Sequence, residues 1–346
     1  MERVEEGQPA LDPALQHTGI LFSGIQPSGE IHIGNYCGAI RNWVQLLDRY
    51  RCIFSIVDYH AITVTYEEGR LQERIRQATL ANIAAGLDPD RCLIFVQSQV
   101  PEHTELTWIF NTLTPMGLLS RMTQFKEKSV RHSENVNVGL FDYPVLQAAD
   151  VLLYRAEAVP VGEDQVQHIE LTRDIARKFN LRFGPFFPEP EALVPRAGAR
   201  ILGLDGKAKM SKSLGNYIGL LEEPDAIWEK LRPAVTDENR KRRSDPGNPE
   251  ICNIHTIHTC FSPPETIAEV ESGCRSAGIG CIDCKRKLFE EMKKTLDPIR
   301  ARAADLAGRP GHVDEVLAEG ARRCRELAGA TMEGVRERIG VRPGAA

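Results

Sequence analysis

Short apolar runs recur through the first half of the chain, spaced so that a helix fits between each pair. Gly19-Ile20-Leu21-Phe22-Ser23, Cys52–Val57 and Cys92–Val96 each read as a buried strand. Helical spacing fills the intervals. Tyr36–Tyr50 follows the turn Gln26-Pro27-Ser28-Gly29, and Gly69–Gly86 separates the second strand from the third. This alternation predicts an α/β fold, a parallel sheet wrapped by helices. Further helices are expected at Glu102–Thr112, Met116–Lys128, Pro144–Tyr154 and Asp164–Asn180, with a Pro- and Ala-rich connector over 188–199. From Glu223 onward the β-branched runs fade and Ala, Leu, Glu, Arg and Lys dominate. The chain therefore divides into a disordered arm at 1–18, an α/β domain at 19–222 and a helical domain at 223–346.

Composition narrows the class. The 346 residues are 42% hydrophobic and 26% charged, which excludes wholesale disorder, and no apolar run is long enough to span a membrane. The net charge of -5 is uneven: residues 285–346 carry 14 Lys and Arg against 10 Asp and Glu. That excess fits a polyanion contact, and it fits an ordinary helical surface as well. At the other end Glu2, Glu5, Glu6 and Asp12 face only Arg3, the wrong sign for a secretory or mitochondrial leader, so the chain reads as cytoplasmic. In that reducing compartment the nine cysteines are expected to stay out of structural disulfides. Five of them crowd into Cys252–Cys284, and crowding in a cytosolic protein points to metal.

Two segments carry candidate nucleotide chemistry. Neither G-x-G-x-x-G nor G-x-x-x-x-G-K-[ST] is present. Instead Gly24-Ile25-Gln26-Pro27-Ser28-Gly29-Glu30-Ile31-His32-Ile33-Gly34-Asn35-Tyr36 follows the first strand. Pro27 and Gly29 make a tight turn, His32 and Asn35 open a helix, and Gly34 lets a nucleotide approach the backbone. Lys209-Met210-Ser211-Lys212-Ser213, flanked by Gly203, Gly206 and Gly215, can close two lysines over a polyphosphate. Alone, the first also fits a polar helix start and the second a solvated basic turn. Asp150 sits in the apolar run Leu146–Tyr154, where a carboxylate needs a partner, either a ligand or an internal salt bridge. Cys252, Cys274, Cys281 and Cys284 are spaced x21, x6 and x2, a set suited to zinc or an iron–sulfur cluster, and equally to buried free thiols.

The two segments together resemble the HIGH and KMSKS signatures of class I aminoacyl-tRNA synthetases, with Asn35 at the last HIGH position. The flanks, with Arg121-Met122-Thr123-Gln124-Phe125-Lys126-Glu127-Lys128-Ser129 and Val161-Gly162-Glu163-Asp164-Gln165 through Asp174, resemble the bacterial tryptophanyl-tRNA synthetases. The resemblance runs from about Ile20 to near the C-terminus. It implies a Rossmann-like catalytic domain, a helical anticodon-binding domain, a homodimer, and two partners, L-tryptophan and tRNA(Trp). It also implies two steps: attack of the tryptophan carboxylate on the α-phosphorus of ATP, then acyl transfer to tRNA. The carboxylate is already ionised at neutral pH, so the first step needs positioning and charge stabilisation rather than a base.

By the same resemblance Gln26, Pro27, Ser28, Gly34 and Asn35 hold ATP, with Gly162, Glu163, Asp164 and Ile201 around ribose and adenine. Lys128, Lys209 and Lys212, with Met210, Ser211, Ser213 and His32 beside them, serve the triphosphate and Mg²⁺. Asp150 accepts the indole N–H, Tyr143 and Gln165 bind the α-amino group, and Phe22, His60 and Val161 line the ring. His60 equally fits a core histidine. A subset of the family carries a [4Fe–4S] cluster on a C-x22-C-x6-C-x2-C pattern, one residue longer than here. This implies a cluster on Cys252, Cys274, Cys281 and Cys284, with Zn²⁺ as the alternative and Cys260 as a substitute first ligand. Lys285 and Lys287 directly after the cysteines would then face the anticodon. A tyrosine-specific synthetase, an idle RNA-binding paralogue and an iron–sulfur electron carrier stand as alternatives. The last leaves both ATP-type motifs without purpose.

Overall fold

The computed structural model describes residues 19–27, 29–126, 133–194 and 201–341; the arm expected at 1–18 lies outside them. Five strands make one parallel sheet: β1 (Ile20–Ile25), β2 (Arg51–Ile56), β3 (Cys92–Val96), β4 (Ala158–Pro160) and β5 (Glu191–Leu193), in the order β3-β2-β1-β4-β5. Leu21 pairs with Cys52 and Cys52 with Cys92, so the three long strands run level. The order reverses between β1 and β4, the switch point at which open α/β sheets leave a crevice beyond their carboxyl ends.

The helices are α1 (Ile33–Asn35), α2 (Arg41–Leu46), α3 (Asp58–Ala61), α4 (Leu71–Ala84), α5 (Glu102–Asn111), α6 (Met116–Leu119), α7 (Val138–Leu153) and α8 (Val166–Phe183). Then follow α9 (Pro224–Leu231), α10 (Asn253–Phe261), α11 (Pro264–Arg275), α12 (Cys281–Ala307) and α13 (His312–Ile339). Beyond Glu223 the described residues contain helices and loops alone. Each long strand sends alternate side chains to opposite cores, which explains runs that are apolar throughout. Leu21, Ile25, Cys52, Phe54, Ile56, Cys92 and Ile94 enter a core shared with α2, α4, α10 and α12. Phe22, Ile53, Leu93 and Phe95 enter one shared with α5, α7, α8 and α13.

Five elements differ from the expectation. β4 and β5 span three residues each, too few to show a period, and β5 lies in the stretch read as a connector. α7 begins at Val138 rather than Pro144, capped by Asn137, whose Oδ1 accepts the Leu140 N–H at 2.9 Å. The proline is the helix's seventh residue and has no N–H to donate to the Leu140 carbonyl, so one i→i−4 bond is absent there. α6 closes after Leu119. Helical structure also starts at Ile33, before Tyr36, and passes through a π turn at Tyr36–Ile40.

That π turn carries Cys37, which is disulfide-bonded to Cys260 in the last turn of α10. The expectation of no disulfide is corrected: it rested on compartment alone, whereas α10 packs over the π turn and brings residues 223 apart in sequence side by side. Cys260 is thereby withdrawn as a ligand. α13 returns to the sheet and lies against the edge strand β3, so closely that a Cβ on Gly320 would stand 2.0 Å from the Ile94 carbonyl oxygen. Covering the strand in this way blunts an otherwise exposed edge.

Candidate active site

The end of β1 and the Lys209–Ser213 loop meet at the switch point. After Ile25 the chain exposes Gln26, buries Pro27 and turns at Gly29, whose φ of +116° suits glycine. The loop lies against this turn. Lys212 Nζ is 3.5 Å from the place a Gly29 Cβ would occupy, and Met210 Cβ is 3.4 Å from that of Gly34. Asn35 Oδ1 accepts the His32 N–H at 3.1 Å, closing the turn before the helix. His32 is buried, and its Nδ1 has no hydrogen-bond partner among the described residues. Burial, reinforced by Lys209, lowers its pKa to about 4. A neutral imidazole thus sits within the field of Lys209. Ser28 and Lys128 lie outside the described residues.

The loop is fastened from two sides. Met210 N–H donates to the Ile201 carbonyl, and Leu202 pairs with Lys209 in an antiparallel bridge. Asn216 Oδ1 accepts the Ser211 N–H at 2.9 Å while its Nδ2 donates to Asp205. From the helical region, Asn253 accepts the Leu202 N–H at 3.1 Å and donates to the Leu202 and Gly203 carbonyls, both at 3.0 Å. Neither asparagine was found from sequence. Asn216 stands three residues past the KMSKS segment and Asn253 directly follows a candidate ligand, Cys252, but the type alone gives no signal.

Beyond β4, Gly162 opens a 3-10 turn at Glu163–Gln165. Asp164 folds back over Gly162, where a Cβ would meet its Oδ1 at 2.7 Å, and accepts from Gln165 Nε2 at 3.0 Å. Glu163 and Asp164 are exposed and Val161 is half-buried. Tyr143, on α7, is within 3.0 Å of His168 Nε2 and edge-on to His60. Burial, then Asp164, raises its hydroxyl pKa, so the group stays protonated.

Asp150 is the most enclosed acid, 1% exposed. Gln97 Nε2 and His103 Nδ1 each approach its Oδ1 at 2.7 Å, and His60 Nε2 approaches Oδ2 at 2.7 Å. Burial pushes the carboxyl up, but the nearness of His60 and the bonds from His103 and His60 outweigh it and bring it down to about 2. Phe22 forms a wall beside this cluster, stacked on Tyr154 with centroids 5.6 Å apart. The salt bridge with arginine that the sequence left open is replaced by two histidines and an amide. His103 and Gln97 were missed because they sit on a separate segment after β3.

Residues 15–297, which take in the sheet and much of the helical region, match the family model of class I tRNA synthetases for tryptophan and tyrosine. The chain belongs to this family. The tryptophan–tRNA ligase of Deinococcus radiodurans is 52% identical over 324 residues, 92% of this chain and 98% of that protein. That of Gloeobacter violaceus is 46% identical over 93% of this chain and 96% of its own. The crystal structure of tryptophanyl-tRNA synthetase from Campylobacter jejuni complexed with ADP and tryptophan superposes with a TM-score of 0.83 at 37% identity, covering 93% of this chain and 99% of that one. The synthetase therefore activates tryptophan with ATP, releases pyrophosphate and charges tRNA(Trp), and the tyrosine and non-catalytic alternatives give way.

The cysteines lie in the helical region of this synthetase. Cys252 precedes α10, Cys274 ends α11, and Cys281 and Cys284 open α12. The four thiols are within electrostatic reach of one another, and burial followed by its neighbours raises Cys284 to about 12. Among the described residues no three His, Cys, Asp or Glu converge closely enough to hold a single ion. Arg240 Nη1 donates to Cys281 Sγ, and Cys284 Sγ is 3.5 Å from His258 Nε2. Lys285 corrects an expectation. It is buried, donating to the Arg232 and Ala234 carbonyls, because it falls on the inner face of α12, whereas Lys287 is turned outward and paired with Glu269.

Proposed function

We propose that adenylate formation takes place in the crevice between the β1 turn and the Lys209–Ser213 loop. The observation that carries this is Lys212 Nζ standing 3.5 Å from the place a Gly29 Cβ would occupy, which sets the two signature segments side by side. Gln26, Pro27, Ser28, Gly34 and Asn35 would receive ATP from one side and Lys209, Met210, Ser211, Lys212 and Ser213 from the other. Gly162, Glu163, Asp164 and the Ile201 backbone border the nucleoside. Lys128, with Mg²⁺, completes the charge on the phosphates. The neutral His32 ring offers its unpartnered Nδ1 to a ligand without adding a further cation.

Tryptophan sits against Phe22 and Val161, its indole N–H on Asp150 and its amino group by Tyr143 and Gln165. His60 serves as a donor to Asp150 rather than as a wall. Asp150→Ala tests the assignment. It should lower discrimination between tryptophan and the analogue with sulfur in place of the ring N–H by on the order of 10³-fold, since a site built around a donor rejects ligands lacking it. Unchanged discrimination would remove Asp150 from the pocket.

The helical region, 223–346, is read as the anticodon-binding part of a cytoplasmic homodimer. Trp108 of α5, Met116 of α6 and Val138 of α7 are each exposed large apolar side chains of the kind a second copy would cover. Trp108→Glu should shift sedimentation toward the monomer. The cysteine set is read as holding a [4Fe–4S] cluster, with zinc as the alternative for four thiolates. Arg240, aimed at Cys281, would offset the cluster's negative charge. Anaerobically purified enzyme should contain iron and absorb broadly near ~400 nm, and Cys281→Ser should lose both while keeping pyrophosphate exchange. Colourless protein with one zinc per chain would reverse the metal assignment.

A further inference from the structure

Asp150 is held by a buried polar chain that continues well past the amino-acid pocket. An ionised carboxylate can only accept, with about two lone-pair positions on each oxygen. Oδ1 is filled by Gln97 and His103, while Oδ2 carries His60 and keeps one position open. His103 must therefore present a proton on Nδ1. Its Nε2 is 2.8 Å from the Tyr154 hydroxyl, which donates its proton there. The Cys324 side chain on α13 also lies within hydrogen-bond reach of the Tyr154 hydroxyl. Every member is buried: His103 and Cys324 are 0% exposed and Tyr154 is 2% exposed. Bulk water therefore does not reach them to replace a lost donor.

We propose that His103 and Tyr154 are positioning residues for tryptophan selection, locking the Asp150 carboxylate so that a single acceptor position on Oδ2 stays open to the indole N–H. The inference rests on the reading of Asp150 as the indole acceptor. Tyr154 is doubly placed for this task, since its hydroxyl orients His103 while its ring stacks on Phe22. Gln97 and His103 together also block the second oxygen, which keeps ligands with two adjacent donors from engaging both.

The test uses the full-length enzyme in amino-acid-dependent ATP–pyrophosphate exchange, with tryptophan and its benzothienyl analogue as the two substrates. Tyr154→Phe keeps the ring and removes one hydroxyl. It should raise KM for tryptophan roughly tenfold, leave kcat within about twofold, and leave KM for the analogue unchanged. His103→Leu should do more, and His103→Asn, which restores an N–H near the Nδ1 position, should recover part of the loss. Equal weakening toward both substrates would overturn the proposal in favour of simple packing, and so would no change toward either. Asp150→Asn separates the two readings. If it leaves the ratio of the two KM values intact, the Asp150 assignment has failed. If it collapses the ratio while Tyr154→Phe and His103→Leu preserve it, only the positioning role has failed.

Discussion

Asn253→Ala is a sharp perturbation of the catalytic loop, because the side chain lies on α10 and touches no proposed ligand. It removes three hydrogen bonds, one from the Leu202 N–H and two to the Leu202 and Gly203 carbonyls. The Gly203 carbonyl keeps a second partner, the Gly206 N–H, but the Leu202 N–H loses its partner outright. At roughly 1 kcal/mol net per bond the loss is about 3 kcal/mol. Leu202 is also the bridge partner of Lys209, so the loss falls on the loop that presents both lysines. If all of it enters loop closure, kcat for adenylate formation falls by on the order of 10²-fold; partial relaxation gives about tenfold. The assay is pyrophosphate exchange at saturating tryptophan, with tryptophan affinity measured separately by equilibrium dialysis without ATP. That affinity should be unchanged. Asn253→Asp provides the control, since it keeps the acceptor but sets an anionic oxygen against two carbonyls and should be worse than alanine. A variant that melts several degrees lower yet keeps kcat within about twofold would refute the coupling. An aspartate better than alanine would refute the geometry.

Lys212→Ala should lower kcat by on the order of 10²-fold with little change in KM for tryptophan, because its charge acts on the phosphates as they gain charge; a loss confined to KM would contradict this. Acid stability follows from His32 and His258, both lowered from 6.5 to about 4, chiefly by burial. Between those values the unfolded chain binds more protons than the native one, so urea stability should decline from pH 6.5 toward 4; a flat profile there would refute it. The depressed carboxyl of Asp150 adds its loss only as pH falls from about 4 toward about 2. Gly320→Ala should destabilise the enzyme, since its methyl would strike the Ile94 carbonyl, and an unchanged melting temperature would place α13 elsewhere. Alkylation of denatured, unreduced protein should label the seven free cysteines and leave Cys37 and Cys260 as a linked peptide; nine labels would dissolve that pair.

What the sequence made legible follows the range of the interactions involved. β1 to β3 were readable because burial on both faces leaves an uninterrupted apolar run, and the two ATP segments were readable because their chemistry is contiguous. β4 and β5 were not, since three residues cannot carry a period, and their place in the sheet is set by the strands beside them. The same limit explains the pocket. Asp150 stood out as a lone acid in an apolar helix, but its partners come from two other stretches, His60 after β2 and Gln97 and His103 after β3. Lys285 shows the converse error, where a basic residue beside a cysteine motif was read as surface although its position on α12 turns it inward. Buried polar groups are chosen in sets, because each donor has worth only with its acceptor in place. A buried polar residue therefore signals a partner far along the chain, and Asp150, Lys285 and Asn253 each found one more than 50 residues away.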